Sequence, residues 1–366
     1  MKAVAVYPAA HDVKIVECAE PRIAAPNHVK LRMLEVGVCG TDKDICAFAL
    51  GSPPPGSDHF VLGHESLGEV VETGPAVADL RAGDLVVSTV RLPCHDASCA
   101  ACRGGHQDFC ATGNYFEHGI KDLDGFMTEF VVADRHNLHP VACELRDVAV
   151  LVEPLTIAEK ALLEISEIQK RLPWDGGQRR AVVLGSGPVG LLGAMVLVNA
   201  GFQTCVYTRS PKPNAKAAVA EAIGAAYISS GETPVDNMAE QAGPIDLIYE
   251  AAGAPQFAFE VLKYLGPNGI FVLTGVPRAE KPVVFDTERI MYNLVLRNQV
   301  VLGVVNAGPQ AFDNAVRDIG VFAARWPKAV RAMITGRYPM DAFHDPVMGR
   351  AGGIKNVIAI GGAGLR

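Results

Sequence analysis

Residues 181–200, AVVLGSGPVGLLGAMVLVNA, carry the most informative pattern in this chain. Residues 181–184 are apolar and predict a buried strand, residues 185–190 follow the pattern G-x-G-x-x-G, and the apolar run after them predicts a helix. Residues 181–208 contain no charged side chain and are long enough to imitate a membrane span. Three glycines and a proline interrupt the run, so we expect a strand, a tight turn and a helix instead.

The glycine pattern predicts a dinucleotide site, because it follows a strand and opens a helix. The first glycine allows the turn, the second lets a pyrophosphate approach the backbone, and the third lets the helix pack on the strand. The helix N-terminus offers free N–H groups to phosphate. We expect the cofactor to contact the whole pattern: Gly185, Ser186, Gly187, Pro188, Val189 and Gly190. The structural alternative is a glycine-rich packing turn.

The choice of cofactor is expected at the end of the second strand, where NAD sites place an acidic residue. This chain has Thr208 followed by Arg209, with Lys212 close behind and no acid nearby. An arginine there suits a 2′-phosphate, so NADP is favoured and NAD is the alternative cofactor. A solvated loop arginine is the structural alternative.

Strand and helix patterns alternate along the second half of the chain. Further strands are predicted at 204–208, 227–230, 246–250, 269–274 and 300–306, with helices at 189–200, 213–223 and 255–265. This alternation predicts an α/β fold with a doubly wound parallel sheet, which we place at 153–308. Residues 1–152 instead carry short alternating strands, and 309–366 return to mixed structure, so these two segments predict a second, β-rich domain.

Composition excludes several classes of protein. The chain has 366 residues, 49% of them hydrophobic, and a net charge of −7, which disfavours disorder and nucleic-acid binding. Its N-terminal apolar stretch is too short for a secretory signal. Nine cysteines are too few for a disulfide scaffold, but they are unevenly placed.

Four of the cysteines lie within 17 residues of one another, and these are Cys94, Cys99, Cys102 and Cys110. Four thiolates match a tetrahedral structural zinc with no open coordination position. Four unrelated buried thiols, or two disulfides, are the alternatives, and His95 or His106 could replace one cysteine as ligand.

Further zinc-competent side chains occur in short motifs: Cys39 in Cys-Gly-Thr-Asp, His64 and Glu65 in Gly-His-Glu, and Glu153 before a proline. Three protein ligands and a water make a catalytic zinc site. Spacing alone cannot place residues 39, 64 and 153 together.

These motifs, the four-cysteine segment and the late glycine pattern occur in one order that resembles the zinc-dependent medium-chain alcohol dehydrogenase family over essentially the whole chain. The resemblance implies a GroES-like catalytic domain (1–152 and 309–366), a Rossmann domain (153–308) and an active site in the cleft between them. The Gln-Asp-Phe-Cys run at 107–110 and the segment 153–160 resemble the microbial glucose dehydrogenase branch, which oxidises aldoses at C1 to the lactone.

The resemblance also implies roles for individual residues. Cys39 and His64 match zinc ligands, and Glu65 and Glu153 match direct or water-mediated ligands that also act in catalysis and, for Glu153, in substrate binding. Thr41 matches the hydroxyl residue that passes a proton between substrate and the nicotinamide ribose. Asp42 matches a partner of the zinc histidine, and Glu117 and Asn306 match contacts to sugar hydroxyls.

The implied protein is a zinc-dependent NAD(P) oxidoreductase of aldoses with two zinc ions per chain. Asp44 replaces a histidine of the outer proton path, and Val90, Ile157 and Leu296 are apolar where this branch can carry polar contacts. A deoxy sugar, another aldose or a less polar alcohol is therefore an alternative substrate, as is a polyol, threonine or formaldehyde. A non-catalytic zinc-stabilised NADP-binding protein is the other class.

We expect a small-molecule sugar or alcohol as the only partner besides further copies of the chain, with no nucleic acid and no membrane. A homodimer or homotetramer is expected, with residues 300–306 pairing across a two-fold axis. The location is expected to be cytoplasmic.

Overall fold

The computed structural model describes residues 1–172, 177–277, 282 and 284–360, and within them the chain forms nineteen strands and eleven α-helices. The strands are β1 (Lys2–Tyr7), β2 (Asp12–Glu17), β3 (His28–Gly37), β4 (Phe60–Val61), β5 (Glu65–Thr73), β6 (Leu85–Ser88), β7 (Arg91–Leu92), β8 (Phe116–His118), β9 (Asp122–Leu123), β10 (Phe130–Asp134), β11 (Leu138–Val141), β12 (Arg180–Leu184), β13 (Gln203–Thr208), β14 (Ala226–Ser229), β15 (Ile245–Glu250), β16 (Leu265–Leu273), β17 (Val300–Gly303), β18 (Ile334–Pro339) and β19 (Lys355–Ala359). The helices are α1 (Gly40–Cys46), α2 (Ala100–Arg103), α3 (Val152–Gln169), α4 (Pro188–Asn199), α5 (Ala215–Ala222), α6 (Val235–Ala242), α7 (Pro255–Leu262), α8 (Thr287–Leu296), α9 (Pro309–Arg325), α10 (Pro327–Ala332) and α11 (His344–Val347).

The chain divides into two compact units. Unit 1 comprises Met1–Thr156, Asn306–Ala323 and the chain from Ile334 to the end of the described residues, and unit 2 comprises Ile157–Val305 and Ala324–Met333. The expected boundaries after residues 152 and 308 lie four and three residues from these limits. The last segment of unit 2 differs from expectation, since α10 packs against α5 and so belongs to the second unit rather than the first.

Unit 2 is built on a six-stranded sheet in the order β14-β13-β12-β15-β16-β17, and every pair in it is parallel. The order reverses between β12 and β15, which is the arrangement of a doubly wound dinucleotide-binding sheet. The predicted parallel sheet is therefore confirmed. Its strands are short and apolar because helices cover them, and side chains such as Val182 and Phe271 are fully buried.

Unit 1 is built mainly from antiparallel strands around the long strand β3, which pairs with β5, β10 and β19, although β18 with β19 and β8 with β9 are parallel pairs. Strand β3 and its three partners belong to a seven-stranded sheet that also contains β6, β11 and β18, while β1, β2 and β4 form a second sheet and β7, β8 and β9 a third. A core that includes Leu31, Met33, Phe60 and Phe126 fills this unit. The C-terminal strand β19 pairs with β3 of the first region.

Three elements of unit 2 differ from the predictions. The helices α6 and α8 were not predicted, because α6 buries only Met238 and α8 carries large apolar side chains that are exposed. The last strand ends at Gly303 rather than at residue 306, since Asn306 adopts a left-handed backbone with φ of 58°. No helix in the described part of the chain is both long and apolar enough to cross a membrane.

We predict that Gly193→Val lowers the thermal stability of unit 2, because Gly193 brings α4 onto the sheet. A Cβ at this position would lie 2.4 Å from the ring of the buried Tyr249 on β15. Overpacking of this kind costs roughly 1–3 kcal/mol. Calorimetry should show a lower Tm, whereas Gly352→Val, where a Cβ would meet no atom within 4 Å, should leave it unchanged. Equal melting of the two variants would contradict this packing.

Candidate functional site

Cys39, His64 and Glu65 are brought together by two chain segments of unit 1. Each side chain offers one ligand atom, and the three atoms lie within 4.8 Å of one another. Cys39 occupies the N-cap of α1, and His64 and Glu65 stand where β5 begins. His64 and Glu65 are buried. A thiolate, an imidazole and a carboxylate at this spacing form a donor set that suits zinc.

Asp42 contacts two members of this group, Cys39 and His64. Its Oδ2 accepts from the backbone N–H of Cys39 at 2.7 Å, and its Oδ1 lies 3.3 Å from His64 Nδ1. The latter pair is not aligned as a hydrogen bond, so both atoms are buried without a bonded partner. Burial lowers the pKa of His64, but Asp42 and Cys39 raise it well above its ordinary value. The site thus concentrates negative charge around the ring, which favours a bound cation.

Lys355, which the sequence did not suggest, closes the opposite side of the group. Its Nζ donates to both oxygens of Glu65 at 2.6 Å and to the Val38 carbonyl at 3.1 Å, and lysine and glutamate are both almost fully buried. Burial lowers the pKa of Lys355, but Glu65 raises it above its ordinary value. Gly37 makes room for the carboxylate, since a Cβ there would lie 2.0 Å from Glu65 Oε2.

Glu153 and Thr41 lie near this group without belonging to it. Glu153 stands in the first turn of α3, and burial raises the pKa of its carboxyl to about 7 although His64 lowers it. Thr41 Oγ1 lies 3.8 Å from Cys39 Sγ and is partly exposed. Both side chains therefore lie where they could exchange a proton beside Cys39, His64 and Glu65. The pKa of Glu153, close to neutrality, suits it to this exchange.

The four clustered cysteines lie close together in space, as the zinc prediction requires. The sulfur atoms of Cys94, Cys99, Cys102 and Cys110 all lie within 4.8 Å of one another around the short helix α2. Backbone N–H groups of Cys102 and Ala111 lower the pKa of the Cys99 thiol. Burial raises the pKa of the Cys110 thiol, but hydrogen bonds with Thr112 outweigh this effect, and the pKa falls to about 6. All nine cysteines of the chain are free thiols, so the disulfide alternative is wrong.

A cavity of about 760 Å³ lies within unit 2, at the carboxyl ends of the central strands. Gly185, Ser186 and Gly187 line it on one side and Ala251–Ala254 on the other. Gly185 has φ of 99°, and a Cβ at Gly190 would lie 2.2 Å from the Gly185 carbonyl, so both positions require glycine. A Cβ at Gly187 would meet no atom within 4 Å, which leaves open space against the backbone where a pyrophosphate fits.

The rest of the predicted cofactor residues divide between the cavity and the surface. Thr208 and Arg209 line the cavity, and Thr208 contacts Ser186 through a hydroxyl pair at 3.2 Å. Lys212 does not line it but forms an ion pair with Glu221. Lys216 lines the cavity in its place. Pro188, Val189 and Gly190 begin the helix α4 behind the cavity rather than forming its lining.

Glu250, which the sequence did not single out, lies directly before the loop Ala251–Ala254 that lines this cavity. It ends β15 and is buried, and its carboxylate accepts from the N–H groups of Ala252, Gly253 and Gly275. It therefore fixes the loop that forms the far wall. An acidic residue at the end of a predicted strand was the available signal.

Glu117 and Asn306 lie far apart in sequence and meet in unit 1. Asn306 Nδ2 donates to Glu117 Oε1 at 2.6 Å, and Glu117 is buried while its neighbour Arg91 pairs with the same oxygen at 2.9 Å. Val90 beside them is buried and apolar. The two predicted sugar contacts thus form one polar group.

Two family models match consecutive parts of the chain. Residues 25–143 match the alcohol dehydrogenase GroES-like domain, and residues 146–360 match the glucose dehydrogenase C-terminus. The GroES-like assignment of the β-rich region is therefore confirmed.

Relatives of known function resemble the chain over its full length. Glucose 1-dehydrogenase of Methanocella arvoryzae is 38% identical over 99% of this chain and 100% of its own, and that of Thermoproteus tenax is 36% identical over 98% and 99%. Glucose dehydrogenase of Haloferax mediterranei, solved in complex with NADP, Zn and gluconolactone, superposes with a TM-score of 0.88 at 32% identity over 99% of each chain. The resemblance inferred from the motifs is confirmed, and the chain belongs to the glucose dehydrogenase branch of the alcohol dehydrogenase family.

Proposed function

We propose that this chain is a zinc-dependent NAD(P) glucose 1-dehydrogenase, which oxidises an aldose at C1 to the lactone. The grouping of Cys39, His64 and Glu65 carries this proposal, because such a donor set in a buried site has no structural need but suits a catalytic metal. The Haloferax relative, bound to NADP, Zn and gluconolactone, supports the assignment.

Zinc, when bound, supplies Lewis-acid polarisation of the substrate hydroxyl, and the nicotinamide supplies the hydride acceptor. Cys39 and His64 would hold the metal. Glu65 and Glu153 would each be a direct or water-mediated ligand. Asp42, whose Oδ1 lies 3.3 Å from His64 Nδ1, would orient the ring by accepting from that nitrogen when the metal is bound. Cys94, Cys99, Cys102 and Cys110 would hold the second, structural zinc.

The proton and the hydride leave the substrate by different routes. In the reaction to the lactone the sugar would lose a hydride from C1, for which the oxidised nicotinamide would supply the acceptor, and the proton of its C1 hydroxyl. We assign the proton to Thr41, with Glu153 as a further acceptor because its pKa of about 7 lets it hold or release a proton near neutrality. Glu117 and Asn306 would bind hydroxyls of the sugar, as the carboxylate and amide are suited to do.

Gly185, Ser186, Gly187 and Thr208 would hold the cofactor, with the N-terminus of α4 facing its phosphates. Arg209 would bind the 2′-phosphate of NADP, and Lys216 adds a second positive charge to the same cavity.

We further propose a homodimer or homotetramer located in the cytoplasm. The edge position of β17 and the exposed side chains of Met291, Tyr292, Val295 and Leu296 on α8 support self-association. Nine free cysteines support a reducing compartment.

A substrate panel tests the activity directly. We expect NADP reduction with aldoses to exceed that with polyols, threonine and simple alcohols, and a chelator that removes the catalytic metal to abolish it. Re-addition of Zn²⁺ should restore the rate. Preference for a polyol or a simple alcohol would contradict the proposal, as would full activity of a metal-free protein.

The two metal sites should separate by substitution. We predict that Cys39→Ala removes one of two bound zinc ions and nearly all activity but keeps the fold, because Cys39 belongs only to the first group. Replacing Cys99 and Cys102 with alanine should remove the other ion and lower the Tm. Cys205→Ala, a buried thiol outside both groups, serves as control. Unchanged zinc content in Cys39→Ala would refute its assignment.

Cofactor preference should depend on Arg209. We predict that Arg209→Ala lowers kcat/KM for NADP about tenfold or more and leaves that for NAD nearly unchanged, because only NADP offers the 2′-phosphate. Lys212→Ala is the matched control, since Lys212 pairs with Glu221 outside the cavity. An intact NADP preference in Arg209→Ala would show that another group selects the cofactor.

A further inference from the structure

Arg91 and Glu117 form a buried ion pair in unit 1. They face each other directly across the antiparallel strands β7 and β8. The Nε of Arg91 donates to Glu117 Oε1 at 3.0 Å, and its second terminal nitrogen lies 2.9 Å from the same oxygen. Both side chains are less than a tenth exposed. Removing one partner of such a pair leaves an uncompensated buried charge, so the two residues constrain each other.

The guanidinium of Arg91 is itself held on two further sides. Its remaining terminal nitrogen donates to the Asp108 carbonyl at 3.2 Å, and its plane lies 3.7 Å from the centre of the Tyr115 ring. A planar, stacked fork with every terminal nitrogen engaged has little freedom to rotate. Arg91 therefore fixes the position of the Glu117 carboxylate.

Asn306 completes the shell around the same carboxylate oxygen. Its Nδ2 donates to Glu117 Oε1 at 2.6 Å, and its Oδ1 accepts from the Ala307 N–H at 2.7 Å. The left-handed backbone at Asn306 places the side chain for both contacts. Glu117 Oε1 thus accepts hydrogen bonds from Arg91 Nε and Asn306 Nδ2, and the second terminal nitrogen of Arg91 lies 2.9 Å from it.

The other oxygen, Glu117 Oε2, is left for a ligand. Among the residues that the structure describes, it accepts no hydrogen bond, and it does not count among the buried polar atoms that lack a partner. It is therefore reachable from solvent. A carboxylate oxygen is only an acceptor, so its ligand must present a donor such as a hydroxyl.

We propose that Arg91 is a positioning and specificity-determining residue for the sugar: it occupies Glu117 Oε1 and so presents Oε2 alone to one substrate hydroxyl. This inference rests on the proposed aldose dehydrogenase activity. Arg91 acts through Glu117 and touches neither the reacting carbon nor the metal ligands. It contributes to binding of the sugar rather than to the chemical step.

The test compares Arg91→Lys and Arg91→Met with wild type at saturating NADP. Lysine keeps the charge but cannot reproduce the paired contacts to one oxygen, so we expect the aldose KM to rise about tenfold or more. The kcat should change much less, because the lost contact binds ground state and transition state alike. Zinc content and the Kd for NADPH should stay at wild-type values. Arg337→Met is the matched control, since Arg337 makes a similar contact to the buried Glu35 elsewhere in unit 1, at 3.0 Å.

Two measurements separate positioning from a merely structural role. Adding Arg91→Lys to Glu117→Gln should raise the KM little further, because the arginine acts only through that carboxylate. Among monodeoxy derivatives of the sugar, one should bind wild type much more weakly than the parent sugar, and that penalty should disappear in both Arg91→Lys and Glu117→Gln.

The outcomes distinguish this inference from the function on which it rests. A wild type that reduces NADP with no aldose overturns both. An active wild type whose aldose KM is unchanged in Arg91→Lys, or additive effects of the two substitutions, overturns the role of Arg91 alone. The role of Arg91 would also be overturned if the Arg91 variants and Arg337→Met lowered kcat and Tm equally and the relative binding of the deoxy sugars did not change. Arg91 would then serve only the stability of the fold.

Discussion

The buried ion pair between Lys355 and Glu65 is the constraint around which unit 1 is organised. Two charges in a site this closed lose their hydration, and their attraction offsets that cost only when the geometry is tight and other contacts complete it. Here both carboxylate oxygens receive the ammonium at 2.6 Å, and the Val38 carbonyl takes a further bond from it. A well-packed apolar pair would serve stability as well, so the retention of charge at this place points to chemistry.

The sheet supplies the precision that this ion pair requires. In β3, Gly37 lies opposite Glu65 of β5 and also opposite Val357 of β19, two residues beyond Lys355. Strand β3 lies between the two strands that carry the charges, and at Gly37 it has no side chain. The Glu65 carboxylate fills the space that a side chain at Gly37 would occupy. Cys39 follows two residues later, where β3 has ended and α1 begins. The end of β3 therefore positions the proposed metal ligand Cys39, and the neighbouring strands β5 and β19 carry the ion pair beside it.

The two sites differ in how far sequence could predict them. The cofactor cavity is built from backbone, so glycines at fixed spacing after a strand reveal it. The doubly wound parallel sheet could likewise be predicted, from the alternation of strand and helix patterns. The cavity's side chains were harder: Lys212 and Lys216 are four residues apart, and only the turn into α5 determines that the second faces the cavity. The metal groups converge from distant segments, and motifs suggested their members while spacing could not join them. Lys355 had no signal at all, since it acquires its role from a strand pairing 290 residues from Glu65.

The same distinction explains why substrate selection was least accessible from sequence. Glu117 and Asn306 could be proposed by resemblance, but the selectivity that we propose for Glu117 depends on which of its oxygens remains free. That depends on a cross-strand arginine, a stacked tyrosine and a left-handed asparagine acting on one atom. None of these is a motif, because each residue type is common at strand ends and turns. In this proposal it is the orientation of the neighbouring donors toward Oε1, rather than the residue types present, that leaves the Glu117 carboxylate one oxygen for a hydroxyl. A chain that kept Glu117 and lost Arg91 would therefore keep the carboxylate proposed to bind the sugar and lose the geometry that we propose selects a single hydroxyl.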